Sequence, residues 1–431
     1  MNHVVDVGGY PLSWRDQVNN YVVTWKRQSS VSMFGISSYG AAQTLITNRV
    51  GIGTVFSGGG QSASQNTAVT IDSVGVIGHY LDPDSNRLLA ISSSVRLVLH
   101  AHLEETDGYS VGQVMIDFTF KVLKEGISMM VFSVADIAQH GHVLAFGPST
   151  HEDQRAVAMG TGFVKNFLEL LLRSINTNSF PATWSPLLCK DIMDTYGSRV
   201  HETKVVWEPR MGLADCADGI LIGASQTLTS MLTLLSCWAH IWRFVMKKCT
   251  TIMIDTTQTK VDKLFEALSF IHEVPYIEGV DMSLIKAQLI FHFKEAWVEE
   301  PDLVKYLEAE VFRRKFSKCD SQPGKPGNTN TLERFNLEFK GANYFSSTEG
   351  LATYLVRTLT IGPRISRDSK PWVEAPPIPA KDWIAAQKLV VKGWQNLGYK
   401  VTIHGKEVMI FPSEKLLDSI PEASKTVGGP S

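Results

Sequence analysis

Cysteine is scarce in this chain and follows no pattern. The five cysteines among 431 residues (Cys189, Cys216, Cys237, Cys249 and Cys319) are widely spaced and form no C-x-x-C pair. An odd, unclustered set excludes a disulfide framework and a four-cysteine zinc site, and suits reduced thiols. N-x-[ST] sequons are missing too. Charge of one sign is also lacking, with 43 acids against 41 bases. The chain as a whole therefore carries no field that would draw it onto nucleic acid or an anionic membrane, and any such binding has to come from a local patch. The opening MNHVVDVGGYPLSWRDQ interrupts its apolar run with Asp6, Arg15 and Asp16. It has neither the basic start nor the apolar centre of a signal peptide, so the expected location is intracellular, in the cytoplasm or within a particle. No H-E-x-x-H, G-K-[ST] phosphate loop or kinase set occurs, and no cofactor is expected.

One long run lacks charge. From Gly219 to Trp242 there is no Lys, Arg, Asp or Glu, which raises the question of a membrane span. The polar residues inside the run answer it. Gln226, Thr229, Thr233, Ser236 and His240, continued by Arg243 and Lys247, recur at spacings of three and four and so form one stripe of a helix. The apolar residues between Ile220 and Leu235 contribute only about −3 to −4 kcal/mol of insertion energy, which the Ser, Thr and Gln side chains oppose. The expectation is a buried central helix over 219–248 and no stable membrane insertion. A membrane-associated protein using helix 219–242 remains the second alternative.

What is present divides the chain into an α+β protein. Residues 1–150 are expected to form an antiparallel β-rich domain, sandwich-like or a curved sheet, with a Gly-rich loop near 57–66. In SVRLVLHAHLEE the alternation of Val95, Leu97, Leu99, Ala101 and Leu103 with Arg96, Val98, His100, His102 and Glu104 reads as a half-buried strand. GQVMIDFTFKV reads as its hairpin partner, and GISMMVFSVADI, apolar on both faces, as an interior strand. Residues 151–319 read as mainly helical, and 320–330, with two Pro and two Gly, as a linker. A small α+β unit over 331–418 contains a Pro-rich basic arm at 362–380, and a hairpin turns at His404–Gly405. Residues 419–431 read as a disordered tail.

The chemistry-bearing residues are few. His100 and His102, with the same H-x-H spacing repeated at His140 and His142, offer four imidazoles to a metal if their strands are neighbours. A polar, solvent-facing strand surface explains the same pattern and is the preferred reading. Arg313, Arg314 and Lys315 close one helix, and Arg357, Arg364, Arg367 and Lys370 surround Trp372. Cations interleaved with an aromatic suit phosphates and stacked bases, or a protein partner. Five prolines in IGPRISRDSKPWVEAPPIP place the arm on the surface. These features together lead to the expectation of a non-enzymatic structural protein. It would self-associate in the manner of viral coat, nucleocapsid or matrix proteins, and the basic arm would contact RNA or a neighbouring subunit. The first alternative is an enzyme with a non-local site, metal-dependent through His100, His102, His140 and His142.

Overall fold

The computed structural model describes residues 36–58, 68–106, 112–119, 127–136, 140–200, 206–215, 218–229, 233–274, 281–321, 351–369, 371–372, 399–403 and 406–410, with isolated positions at 123, 231, 332 and 335. The Gly-rich loop beyond Gly58, the linker after Ser321, Lys370, the segment after Trp372 up to the hairpin, and the tail lie outside these residues.

The fold is α+β, built on one seven-stranded mixed sheet. Its strands are β1 (Gly75–Asp82), β2 (Arg87–Ser93), β3 (Gln113–Thr119), β4 (Ser128–Ala135), β5 (Gly141–Ser149), β6 (Met211–Ala214) and β7 (Thr233–Ser236), in the order β1-β2-β5-β4-β3-β6-β7. β1 to β5 pair antiparallel, while β6 and β7 continue the edge in parallel from β3. The expected β-rich first half is there, and the sheet also draws its last two strands from the half expected to be helical. The helices are α1 (Ile36–Leu45), α2 (Ile52–Phe56), α3 (Val95–Thr106), α4 (Gln154–Thr177), α5 (Pro186–Val200), α6 (Asp218–Thr227), α7 (Trp238–Ile252), α8 (Gln258–His272), α9 (Met282–Ala296), α10 (Pro301–Leu307) and α11 (Leu351–Arg367). A separate hairpin pairs β8 (Tyr399–Ile403) with β9 (Lys406–Ile410), Ile403 facing Lys406, and the expected turn at His404–Gly405 lies outside the described residues.

Both faces of the sheet are covered. Val114, Ile116 and Phe118 pack with Met130 and Phe132 against α3 to α6, while Met115, Met129 and Val131 pack with Tyr39, Tyr354 and Leu355 of α1 and α11. Successive residues of one strand thus enter opposite cores, which is why β3 and β4 are apolar on both sides. A third core, with Val245, Leu264, Leu268, Phe293 and Leu307, joins α7 to α10 into a helical unit off the sheet.

Three expectations are corrected. Residues 95–104 are helix, not strand, and β3 pairs with β4 and β6 instead. Ser94 marks the start: its Oγ accepts the Leu97 N–H at 3.1 Å, as an N-cap does. α3 is buried almost all round, so its apolar residues have no helical period to display. The continuous helix over 219–248 is in fact α6, β7 and α7, because Leu234 and Leu235 pair with Gly212 and Leu213 of β6. No described helix is long and apolar enough to cross a membrane. The arm at 362–367 is not irregular: α11 runs through Pro363. Losing one helical hydrogen bond at Pro costs about 3 kcal/mol. Packing offsets that cost, since Gly362 lies against Val74, Ile365 is buried, and the buried Ser366 hydroxyl donates to Asp72 Oδ1 at 2.6 Å.

Close approach in the sheet gives a direct test. A Cβ on Gly147 of β5 would sit 1.8 Å from the Ala90 carbonyl oxygen of β2. Gly147→Ala is expected to cost more than about 3 kcal/mol in chemical denaturation, whereas Gly40→Ala, in open space on α1, should be neutral or stabilise by up to about 1 kcal/mol. Equal stability of the two variants would refute the β2–β5 contact.

Candidate functional site

The histidines singled out from the sequence do meet, but inside the protein. His100 projects from α3 and His142 from β5, both buried, with ring centroids 4.6 Å apart. Trp372, which follows α11, packs on the pair at 4.8 Å from His142 and 6.1 Å from His100. The expected surface tryptophan is therefore half-buried against imidazoles, and the expected solvent-facing histidine surface is a core feature. Asp136, fully buried at the end of β4, organises the cluster. Its Oδ2 accepts from His142 Nε2 at 3.1 Å and from His140 Nδ1 at 3.2 Å, and its Oδ1 accepts the His140 main-chain N–H at 2.9 Å. His102 is buried two residues further along α3, and His140 is half-buried.

The electrostatics follow from burial. Desolvation above all, then His142 and Arg96, push the His100 imidazole down to about 3, against the pull of Asp136 and of a hydrogen bond to the Val143 main chain. Desolvation takes His102 to about 4. Burial pushes the Asp136 carboxyl up, but the His142 hydrogen bond, the His140 N–H and the nearby imidazoles outweigh it and hold the group below its ordinary range. His142 Nδ1, His100 Nδ1 and the Trp372 indole N–H are all buried without a hydrogen-bond partner. Among the described residues no group of three or more His, Cys, Asp and Glu is arranged to hold a metal, so the four-histidine metal reading is not carried forward.

The basic residues separate into two places. Arg357, Arg364 and Arg367 lie along one side of α11, opposite the buried Tyr354, Leu355, Thr358, Ile365 and Ser366. Arg364 pairs with Asp368 at 3.4 Å, Arg357 is half-buried, and Arg367 is exposed. Arg313, Arg314 and Lys315 stand elsewhere, beside α6, where Asp218 takes Arg313 at 3.2 Å and Arg314 at 2.5 Å.

Two polar sites escaped the sequence reading. Asp72 takes both Nε (2.7 Å) and an Nη (3.2 Å) of Arg96 and also Ser366, whose hydroxyl lies 2.9 Å from Ser94 Oγ; this ties the start of α3 to the end of α11. Glu300, buried at the start of α10, accepts the main-chain N–H groups of Ile254 (2.7 Å) and Asp255 (3.2 Å). The signal for both was a polar residue beside an apolar run, and nothing local in the sequence names the distant partner. Comparison with protein-family models and with curated proteins finds no match for this chain.

The buried imidazoles set a pH dependence with a definite sign. A histidine whose folded value is depressed binds protons more readily when unfolded, so stability is full above about pH 6.5 and falls as pH drops toward 3 to 4. Each of His100 and His102 is expected to cost about 1.5 kcal/mol between pH 6.5 and 5. Urea denaturation should show this loss, and His102→Gln should remove about 1.5 kcal/mol of it between pH 6.5 and 5; a flat stability profile from pH 7 to 5 would refute the burial of both rings.

Proposed function

We propose that this is a structural protein that works by self-association through its helical unit, with the arginine side of α11 contacting RNA. The carrying observation is where apolar side chains are left uncovered. Among the described residues twelve large apolar side chains are exposed, and seven of them fall between residues 244 and 298. Scattered apolar exposure is ordinary, whereas concentration on one unit marks a surface that something covers. The two most exposed on this unit, Ile254 (78%) and Val298 (72%), flank the Glu300 clamp, and Phe270 follows at 66%. The clamp holds rigid the backbone that presents them, and rigid presentation lowers the ordering cost of association.

The arginines support the second half of the reading. Arg357, Arg364 and Arg367 share a side of one helix whose other side is fixed to the sheet, so their spacing is set by the fold. Non-specific RNA contact by such a row depends on neutralising phosphates and weakens with salt. Trp372 does not take part, because its ring is engaged with His100 and His142.

Multi-angle light scattering tests the association directly. The full chain should elute as an oligomer, and Ile254→Glu with Val298→Glu should shift it toward monomer while leaving Tm within a few degrees. In filter binding, Arg364→Ala with Arg367→Ala should reduce the slope of log affinity against log salt by about 2. A wild-type monomer at all concentrations would sink the association reading, and an unchanged slope would sink the RNA contact.

A further inference from the structure

A cleft of about 550 Å³ opens beside the parallel edge of the sheet. β6 and β7 run parallel, β6 ending at Ala214 just before α6 and β7 ending at Ser236. Asp218, the first residue of α6, and Ser236 both line the cleft, which therefore lies at the carboxyl ends of these strands. That is the side of a parallel sheet where ligands collect. Leu221, Ile222 and Leu234 form an apolar floor, and Arg313, Arg314 and Lys315 a basic rim.

The rim is built to stay in place. Lys315 is bridged to Leu235 in parallel, and its carbonyl accepts the Ser236 N–H at 2.8 Å, so its backbone continues the sheet edge while its side chain is exposed. Arg314 has a side chain only 11% exposed, held by Asp218 at 2.5 Å and by the Glu310 carbonyl at 2.7 Å. Arg313 shares Asp218, and the Glu310 carboxylate lies 3.5 Å from it and 3.8 Å from Arg314. A π-helical turn, Glu308–Phe312, ends immediately before Arg313, the kind of irregular turn that re-aims side chains at functional places. Arg313 and Arg314 are held by the two carboxylates, and the exposed Lys315 ammonium makes the cations three against two, which leaves the rim with a net positive charge.

We propose that this cleft binds a phosphate monoester with an apolar body. The phosphate sits on Arg313, Arg314 and Lys315, and the body lies on Leu221, Ile222 and Leu234. A carboxylate offers one charge and two oxygens. A phosphate monoester carries nearly two charges and three acceptor oxygens, which suit the half-exposed Arg313 guanidinium and the exposed Lys315 ammonium, with Arg314, held by Asp218 and Glu310, adding its charge behind them. An apolar floor without a cation would select only the body, and the rim alone only the charge. The site asks for both on one molecule, whether that molecule is free or is the 5′-terminal nucleotide of an RNA strand. The inference stands apart from self-association, which light scattering reads separately.

Isothermal titration of the full chain with 1-naphthyl phosphate, inorganic phosphate and 1-naphthol tests it. The phosphate ester is expected to bind at least tenfold more tightly than either half. Lys315→Gln removes only a side chain at the rim and should weaken the ester at least fivefold with Tm unchanged; Ile222→Glu, at an exposed position, should abolish binding. Titration with a short RNA bearing a 5′-phosphate, beside its 5′-hydroxyl counterpart, separates the sources. A preference for the phosphorylated strand assigns the site to RNA ends, and equal affinity assigns it to free small molecules. If the ester binds no better than inorganic phosphate, or if both variants bind it as the wild type does, the proposal is wrong.

Discussion

The structure depends on one constraint: the sheet is buried on both faces. Every residue of β3 and β4 is buried, so each strand has to satisfy two cores at once. A single helix layer would leave one of those faces in water, which is why segments as distant as α1 and α11 are recruited to cover Met115, Met129 and Val131. The same constraint brings backbones close together. Gly160 admits Met130 and Gly223 admits the carbonyl of Gln154, each at a distance that a Cβ could not tolerate. Burial on both sides also sets the chemistry, because polar groups carried into these layers must find partners there.

Those polar groups are gathered into a few shared acceptors. Asp136 takes two imidazoles and a main-chain N–H, Asp72 takes a guanidinium and a serine, and Glu300 takes two main-chain N–H groups. An ionised carboxylate with several donors is the arrangement that makes its own burial tolerable. Asp72 has a further consequence: it joins the start of α3 on one side of the sheet to the end of α11 on the other, through Ser94 and Ser366. The tie continues into the chain beyond the helix, where the Ser369 hydroxyl donates to the Ser366 carbonyl at 2.7 Å. Trp372 follows three residues later, and its ring is delivered to His100 and His142.

How much of this is legible in the sequence varies by element. β4 reads correctly because eight apolar or small residues with no charge suit an interior strand. α4 reads correctly because its apolar stripe is amphipathic and Asp153 caps it, accepting the Ala156 N–H at 2.9 Å. α3 misleads because its described residues are buried almost all round, so the alternation of Val95, Leu97, Leu99 and Ala101 looks like a strand. β7 misleads in the opposite sense: four residues between two helices are too short to interrupt a three-four polar stripe, and only pairing with β6 makes them a strand. Of the candidate site, the residue types were readable and their grouping was not. His100 and His142 are 42 positions apart in sequence, and Trp372 lies far beyond both.

The uncovered surface follows from the same division. Helices cover the sheet on both sides, and the large apolar side chains of β3 to β5 find partners within the chain. The helical unit of α7 to α10 meets the sheet at its β7 edge, where Lys315 bridges Leu235, and builds its own core away from it. Its core is held by ring packing, with Trp238 stacked on His272 at 4.7 Å and on Phe316 at 5.8 Å between centroids, and Lys286 4.6 Å above Phe316. Four short helices around one such core cannot enclose all their apolar residues, since a small unit has too much surface for its volume. Ile254, Phe270 and Val298 are what remains outside. The proposal of self-association rests on this contrast among the described residues: burial is solved around the sheet and left incomplete in the attached helical unit, so a second copy docking there would finish a core that those residues leave open.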